Sequence, residues 1–229
     1  MRKLCRSNFG IIAKIENNGA VLAVSLTVEE RFRRNALHKS WIFPGGSQNP
    51  GETDKINLVR ELGEEISKEQ KVLEIPHEDI SFILELKKPG DFGGRLTQNF
   101  WYIPMSEAIT LRGEEQSDLL EPDGARLGQP ILVDIADIIV KRDLKLAHLA
   151  AAVVFMGRLL NSETARRYYK VEPEVSAAIR SRYGELVEPY LRKTYFFLER
   201  LRKCRDHKEY TQVLYSYCKV LGDVRKKDS

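Results

Sequence analysis

The sequence predicts an α/β domain followed by an all-α extension. Two pairs of β-rich runs flank a segment with helical spacing in the first 160 residues. Beyond about Asn161 strand signals fade and only helical patterns remain. A 42% apolar and 31% charged composition is that of a globular chain.

The first pair, Phe9 to Ile15 and Ala20 to Val28, is separated by Asn17-Asn18-Gly19, a turn sequence tolerant of positive φ. The second pair is Ile80 to Leu86 and Thr97 to Ile103, joined by the glycine-rich stretch Pro89 to Gly94. Between the pairs, Thr53 to about Gln70 has helical spacing, with Thr53 placed to cap its start. Ile131 to Val140 reads as a further strand or a short helical turn, and Leu144 to Leu160 as a helix.

From 161 onward, Glu174 to Arg205 and Lys208 to Val224 read as helices, with Pro189 a break or first-turn position. Eight of the nine tyrosines lie here, with sixteen basic against ten acidic residues, whereas the first 160 residues carry 21 against 23. The division predicted is therefore 1–160 and 161–229. The tail reads first as an amphipathic helical hairpin that packs on the domain or builds a homodimer. Nucleic-acid contact, suggested by Arg166-Arg167-Tyr168-Tyr169-Lys170 and Arg200 to Arg205, is the less favoured reading.

Cys5, Cys204 and Cys218 fit no disulfide or metal framework. The basic start runs into Arg6-Ser7-Asn8 without an apolar stretch, and Leu144 to Leu160 carries Lys145, His148 and Arg158. Neither reads as a secretion signal or a membrane span, so a cytoplasmic location is expected.

The chemistry is carried by Trp41-Ile-Phe-Pro-Gly-Gly46-Ser-Gln-Asn-Pro-Gly-Glu52 and the helix after it, ending Arg60-Glu61-Leu62-Gly63-Glu64-Glu65-Ile66. Glu61, Glu64 and Glu65 are spaced i, i+3 and i+4, which puts three carboxylates on one side of one turn. Ile56, Val59, Leu62 and Ile66 are expected to form the apolar stripe opposite. Clustered carboxylates repel unless a positive charge sits among them, and a hard cation such as Mg²⁺ takes oxygen ligands. Gly45, Gly46 and Gly51 permit the tight loop that delivers the helix to a cleft.

This stretch resembles the Nudix box, Gly-x5-Glu-x7-Arg-Glu-U-x-Glu-Glu-x-Gly-U, with U a bulky apolar residue. Gly46, Glu52, Arg60, Glu61, Leu62, Glu64 and Glu65 are in register. Six fixed matches arise by chance on the order of once in ten million registers. Ser67 and Lys68 stand where the family has Gly-U, so the helix is expected to run on toward Gln70 or to exit differently.

The resemblance implies a mixed β-sheet sandwiched between α-helices and a Mg²⁺-dependent pyrophosphohydrolase, with Mn²⁺ an alternative ion. It implies Glu61, Glu64 and Glu65 as metal ligands, Arg60 as the residue orienting a box glutamate, Glu52 in support, and Gly45 and Gly46 in the binding loop. A general base is sought among Glu114, Glu115, Asp118 and Glu121, phosphate contacts among Arg33, Arg34 and Lys39, and base stacking among Phe92, Trp101 and Tyr102. For each of these an ordinary surface or core role is the commoner outcome. Of the four histidines, His38 beside the box is singled out.

Tyr102 is too distant to mark a dinucleoside-polyphosphate hydrolase, and Pro76 and Pro89 miss the position used by ADP-ribose hydrolases. A nucleoside triphosphate, giving the monophosphate and pyrophosphate, is left as the expected substrate. The rival class is a Nudix-like transcriptional regulator that senses a nucleotide ligand and turns over little.

Overall fold

The computed structural model describes residues 4–33, 36–67, 73–89, 95–106, 109, 111–112, 119–120, 126–141 and 144–225. Strands β1 (Leu4–Ile15) and β2 (Val21–Arg33) form the expected antiparallel hairpin, and the remaining strands assemble on it. β6 (Arg95–Pro104) pairs with β1 in parallel and with β5 (Ser81–Pro89) antiparallel, so the sheet is mixed. β3 (Ala36–Ile42) and β9 (Ile131–Asp134) pair with β2, and β4 (Gly45–Ser47) pairs with β1. Short strands β7 (Leu119–Leu120) and β8 (Arg126–Leu127) extend the β2 side.

Because side chains alternate along a strand, each face of the sheet gathers its own core. Ile12, Val24, Leu26 and Ile103 meet helix α1 (Asp54–Ile66) through Leu58, Val59, Leu62 and Ile66. Ile11, Ala13, Ala23 and Phe100 face the other way, toward α2 (Ile135–Lys141) and α3 (Leu146–Leu159). The chain is thus an α/β protein with a mixed sheet between helices and a helical C-terminal extension.

That extension comprises α4 (Ser162–Tyr169), α5 (Pro173–Lys203) and α6 (His207–Arg225). Its buried side chains Ile179, Tyr183, Val187, Tyr190, Phe197, Tyr210 and Tyr217 belong to the same apolar cluster as the sheet and α3. Tyr183 shows the attachment, accepting from the Val21 amide at 3.1 Å and donating to Asp134 at 2.8 Å. α5 continues through Pro189, so the expected break there is absent; packing along its whole length outweighs one lost intrahelical bond. Five of the eight tail tyrosines are buried, and Tyr168, Tyr195 and Tyr215 are exposed. No helix among the described residues is long and apolar enough to cross a membrane.

Candidate active site

Helix α1 is set by its ends. Thr53 in extended conformation caps the start, its hydroxyl accepting from the Ile56 amide at 3.3 Å. The other end departs from the box pattern: the helix stops at Ile66, and Ser67 leaves it in extended conformation at φ −76°. No left-handed residue is needed, because Arg112 closes the terminus. Its amide donates to the Ile66 carbonyl at 2.8 Å and its buried Nε to the Glu65 carbonyl at 2.7 Å. Its Nη2 reaches the Gly128 carbonyl at 2.6 Å, tying the terminus to the β8 segment.

The apolar stripe is corrected at one position. Ile56 is half exposed, and Leu58 takes the buried place beside Val59, Leu62 and Ile66. This rotates the helix so that Asn57, Glu61 and Glu65, spaced i, i+4 and i+8, form one line along its flank. β4 runs alongside that line. Asn57 Nδ2 donates to the Ser47 carbonyl at 2.9 Å, and the Gly45 amide donates to Glu65 Oε2 at 2.7 Å. At Gly46 a Cβ would fall 2.3 Å from Glu61 Oε2, so only glycine admits this carboxylate. Gly45 adopts φ +134° and lies so close to the Asn8 carbonyl that a Cβ would sit 2.1 Å from it.

Arg60 gathers the acidic groups. Its Nε donates to Glu52 Oε1 at 2.8 Å, Nη2 to Glu61 Oε1 at 2.8 Å and Nη1 to Glu64 Oε2 at 2.9 Å. The guanidinium hydrogen bond, with help from the Asn49 amide, draws the Glu52 carboxyl down to about 2, against desolvation. The carboxylates in turn hold Arg60 still more firmly protonated. Glu65 is buried, Glu61 nearly so, and Glu64 exposed.

The expected site residues Glu52, Arg60, Glu61, Glu64, Glu65, Gly45 and Gly46 therefore meet along one flank of α1. Among the described residues no three His, Cys, Asp or Glu side chains converge on a point that would hold a metal. The donor chemistry nonetheless suits a hard divalent cation: three carboxylates share one guanidinium with a fourth, Glu65, beside them, and a carboxylate can serve both a guanidinium and an ion through its two oxygens.

Two buried residues behind the site escape a motif reading. His148, on α3, sits against Phe9, Phe43 and Phe100, and its Nδ1 accepts from the Phe43 amide at 2.9 Å. Burial lowers its pKa to about 3, so the ring is neutral and Nδ1 is free to accept. Asn8, on β1, donates from Nδ2 to Asn57 Oδ1 at 2.9 Å. A polar residue at a core position of a strand or helix is the only sequence signal for either.

Tyr102 is core, stacked on Phe155. Trp101 is partly buried on the α1 face, edge-on to Phe82. Arg33, His38 and Lys39 lie on β2 and β3, and their side chains are outside what is described. Lys68, Gln70, Arg34, Phe92, Glu114, Glu115, Asp118 and Glu121 lie outside the described residues.

No protein-family model and no curated protein sequence matches the chain. Solved structures do resemble it. The E. coli ORF135 protein aligns over 71% of this chain and 94% of its own, at 17% identity and a TM-score of 0.44. The NUDIX domain of Shewanella oneidensis NrtR, solved with ADP ribose, aligns over 69% and 90% at 15% identity and 0.47. A MutT/nudix family protein from Enterococcus faecalis aligns over 95% and 82% at 17% identity and 0.46. At these scores and identities the likenesses fix neither reaction nor substrate.

Proposed function

We propose that this protein hydrolyses a phosphoanhydride bond in a nucleotide, as a divalent-metal-dependent pyrophosphohydrolase. The observation carrying this reading is the flank of α1, where Glu61 and Glu65 stand against Gly46 and Gly45 while Arg60 ties Glu61 and Glu64 to Glu52.

Glu61, Glu64 and Glu65 would hold Mg²⁺, or Mn²⁺ in its place. The ion would offset charge on phosphate oxygens and acidify a bound water. The chain's own contribution is orientation. The Gly45 amide fixes Glu65, and burial of that carboxylate in a low-dielectric flank strengthens its attraction for positive charge. Arg60 limits repulsion among the box acids and restrains the rotamers of Glu61 and Glu64.

A nucleoside triphosphate, cleaved to the monophosphate and pyrophosphate, is the substrate proposed. A panel of nucleoside triphosphates, nucleotide sugars and dinucleotides, assayed for released phosphate groups with and without Mg²⁺, tests this. Metal-dependent turnover of triphosphates supports it; tight nucleotide binding with no turnover favours the ligand-sensing alternative.

A homodimer is part of the same proposal, supported by Phe196 and Tyr215, which are 63% and 74% exposed on α5 and α6. Deleting the tail would strip the sheet-side core of its partners. The cleaner test is the solution mass of a chain carrying Phe196→Ser and Tyr215→Ser; an unchanged dimer mass would free this face from the interface.

A further inference from the structure

The line of residues on the flank of α1 has three members, of which the box pattern names only two. Asn57 is the third, completely buried, and it leads away from the carboxylates into the sheet. Trp101 Nε1 donates to Asn8 Oδ1 at 3.0 Å, Asn8 Nδ2 to Asn57 Oδ1 at 2.9 Å, and Asn57 Nδ2 to Glu52 Oε2 at 3.3 Å as well as to the Ser47 carbonyl. Glu52 in turn grips Arg60, which grips Glu61 and Glu64.

The direction of this chain is fixed by chemistry. An indole N–H can only donate, and a carboxylate and a peptide carbonyl can only accept. Each amide between them therefore has one allowed orientation, oxygen toward Trp101 and nitrogen toward Glu52. Asn99 joins from the side, its Nδ2 donating to Asn8 Oδ1 at 3.2 Å, in the orientation that the Trp101 donor sets for Asn8. Apolar side chains would fill the same space without needing partners. A buried amide pair here instead supplies donors at a defined place.

We infer that Asn8 and Asn57 are positioning residues, a buried relay that fixes Glu52 and the Ser47 end of β4 so that Arg60 can hold the box glutamates in register with Gly45 and Gly46. The relay acts through Glu52 and touches no substrate. Its kinetic consequence rests on the hydrolase reading; its structural consequence does not.

The test uses the full chain and two readouts. The first is proton exchange of the Asn57 Nδ2 and Arg60 Nε hydrogens by ¹⁵N NMR, which needs no activity. In the unmodified protein both exchange slowly. Asn57→Leu and the isosteric Asn57→Asp, which puts an acceptor before two acceptors, speed Arg60 Nε exchange about tenfold. Asn99→Ala, which removes an equally buried bond from the side branch, does not. The second readout is kinetics: Asn57→Leu and Asn57→Asp lower kcat about tenfold or more with KM within about threefold, and Asn99→Ala leaves both near normal. Fast Asn57 exchange in the unmodified protein, or equal effects of the Asn57 and Asn99 variants, would overturn the inference even if an Asn57 variant fails to fold. Slow exchange that responds to Asn57 alone, in a protein with no turnover of any nucleotide, would uphold the relay and remove the hydrolase reading.

Discussion

The Gly45 amide and the Glu65 carboxylate, twenty residues apart in the chain, meet at 2.7 Å. This bond registers the Gly45–Gly46 step of β4 against the helix line Asn57, Glu61 and Glu65. One turn earlier on the helix, Glu61 occupies the space that a side chain at Gly46 would fill.

Gly46→Ala should therefore displace Glu61 without unfolding the protein, since the added methyl meets the end of a flexible side chain. Turnover is expected to fall by about a hundredfold, in line with the cost of displacing a catalytic group by about 1 Å. Steady-state kinetics beside a melting curve checks this. A variant with normal kcat would show that turnover does not need Glu61 in this position.

His148 should matter through the box loop. His148→Leu leaves the Phe43 amide buried without its acceptor, a loss of about 1–3 kcal/mol in stability. His148→Asn, whose Oδ1 can stand in for Nδ1, should recover part of it. Denaturant titration of the two variants measures the difference.

The same residue gives a pH dependence. Its folded pKa is lowered to about 3, whereas an unfolded histidine takes up its proton near 6.5. The unfolded state thus binds the extra proton first as the solution is acidified. The contribution is complete above about pH 6.5 and drains away as pH falls toward 3. His148→Asn should flatten that part of the stability profile, and an unchanged slope would contradict a buried neutral imidazole.

Arg112 does the work expected of a glycine at the end of α1. Ser67→Gly should bring no gain in activity and a stability change within about 1 kcal/mol, because φ −76° suits any residue and glycine adds chain entropy. Arg112→Met should cost about 1–3 kcal/mol by stranding the buried Glu65 carbonyl and freeing the part-buried Gly128 carbonyl. Thermal or denaturant unfolding of both variants separates the two devices.

The hairpin, the cap at Thr53 and the acidic helix were all legible, because each depends on local turn chemistry or spacing. Ile56 misled because a stripe of 56, 59, 62 and 66 and one of 58, 59, 62 and 66 are both helical; only the sheet beneath selects between them. Choosing the second turns Asn57 inward, which no periodicity reveals. His148 and Arg112 were hidden for the same reason. Their partners lie 105 and 47 residues away, and long-range polar pairs leave no local pattern. The short β4, only three residues long, carries no strand signal of its own, because its pairing lies with the distant β1.

The proposed activity is cleavage of phosphoanhydrides at the α1 flank with a bound divalent ion. Pyrophosphate release from nucleoside triphosphates should require Mg²⁺ and fall by about two to four orders of magnitude in Glu65→Gln with the fold retained. Turnover by Glu65→Gln within a few-fold of the unmodified protein would contradict a metal-holding role for this carboxylate.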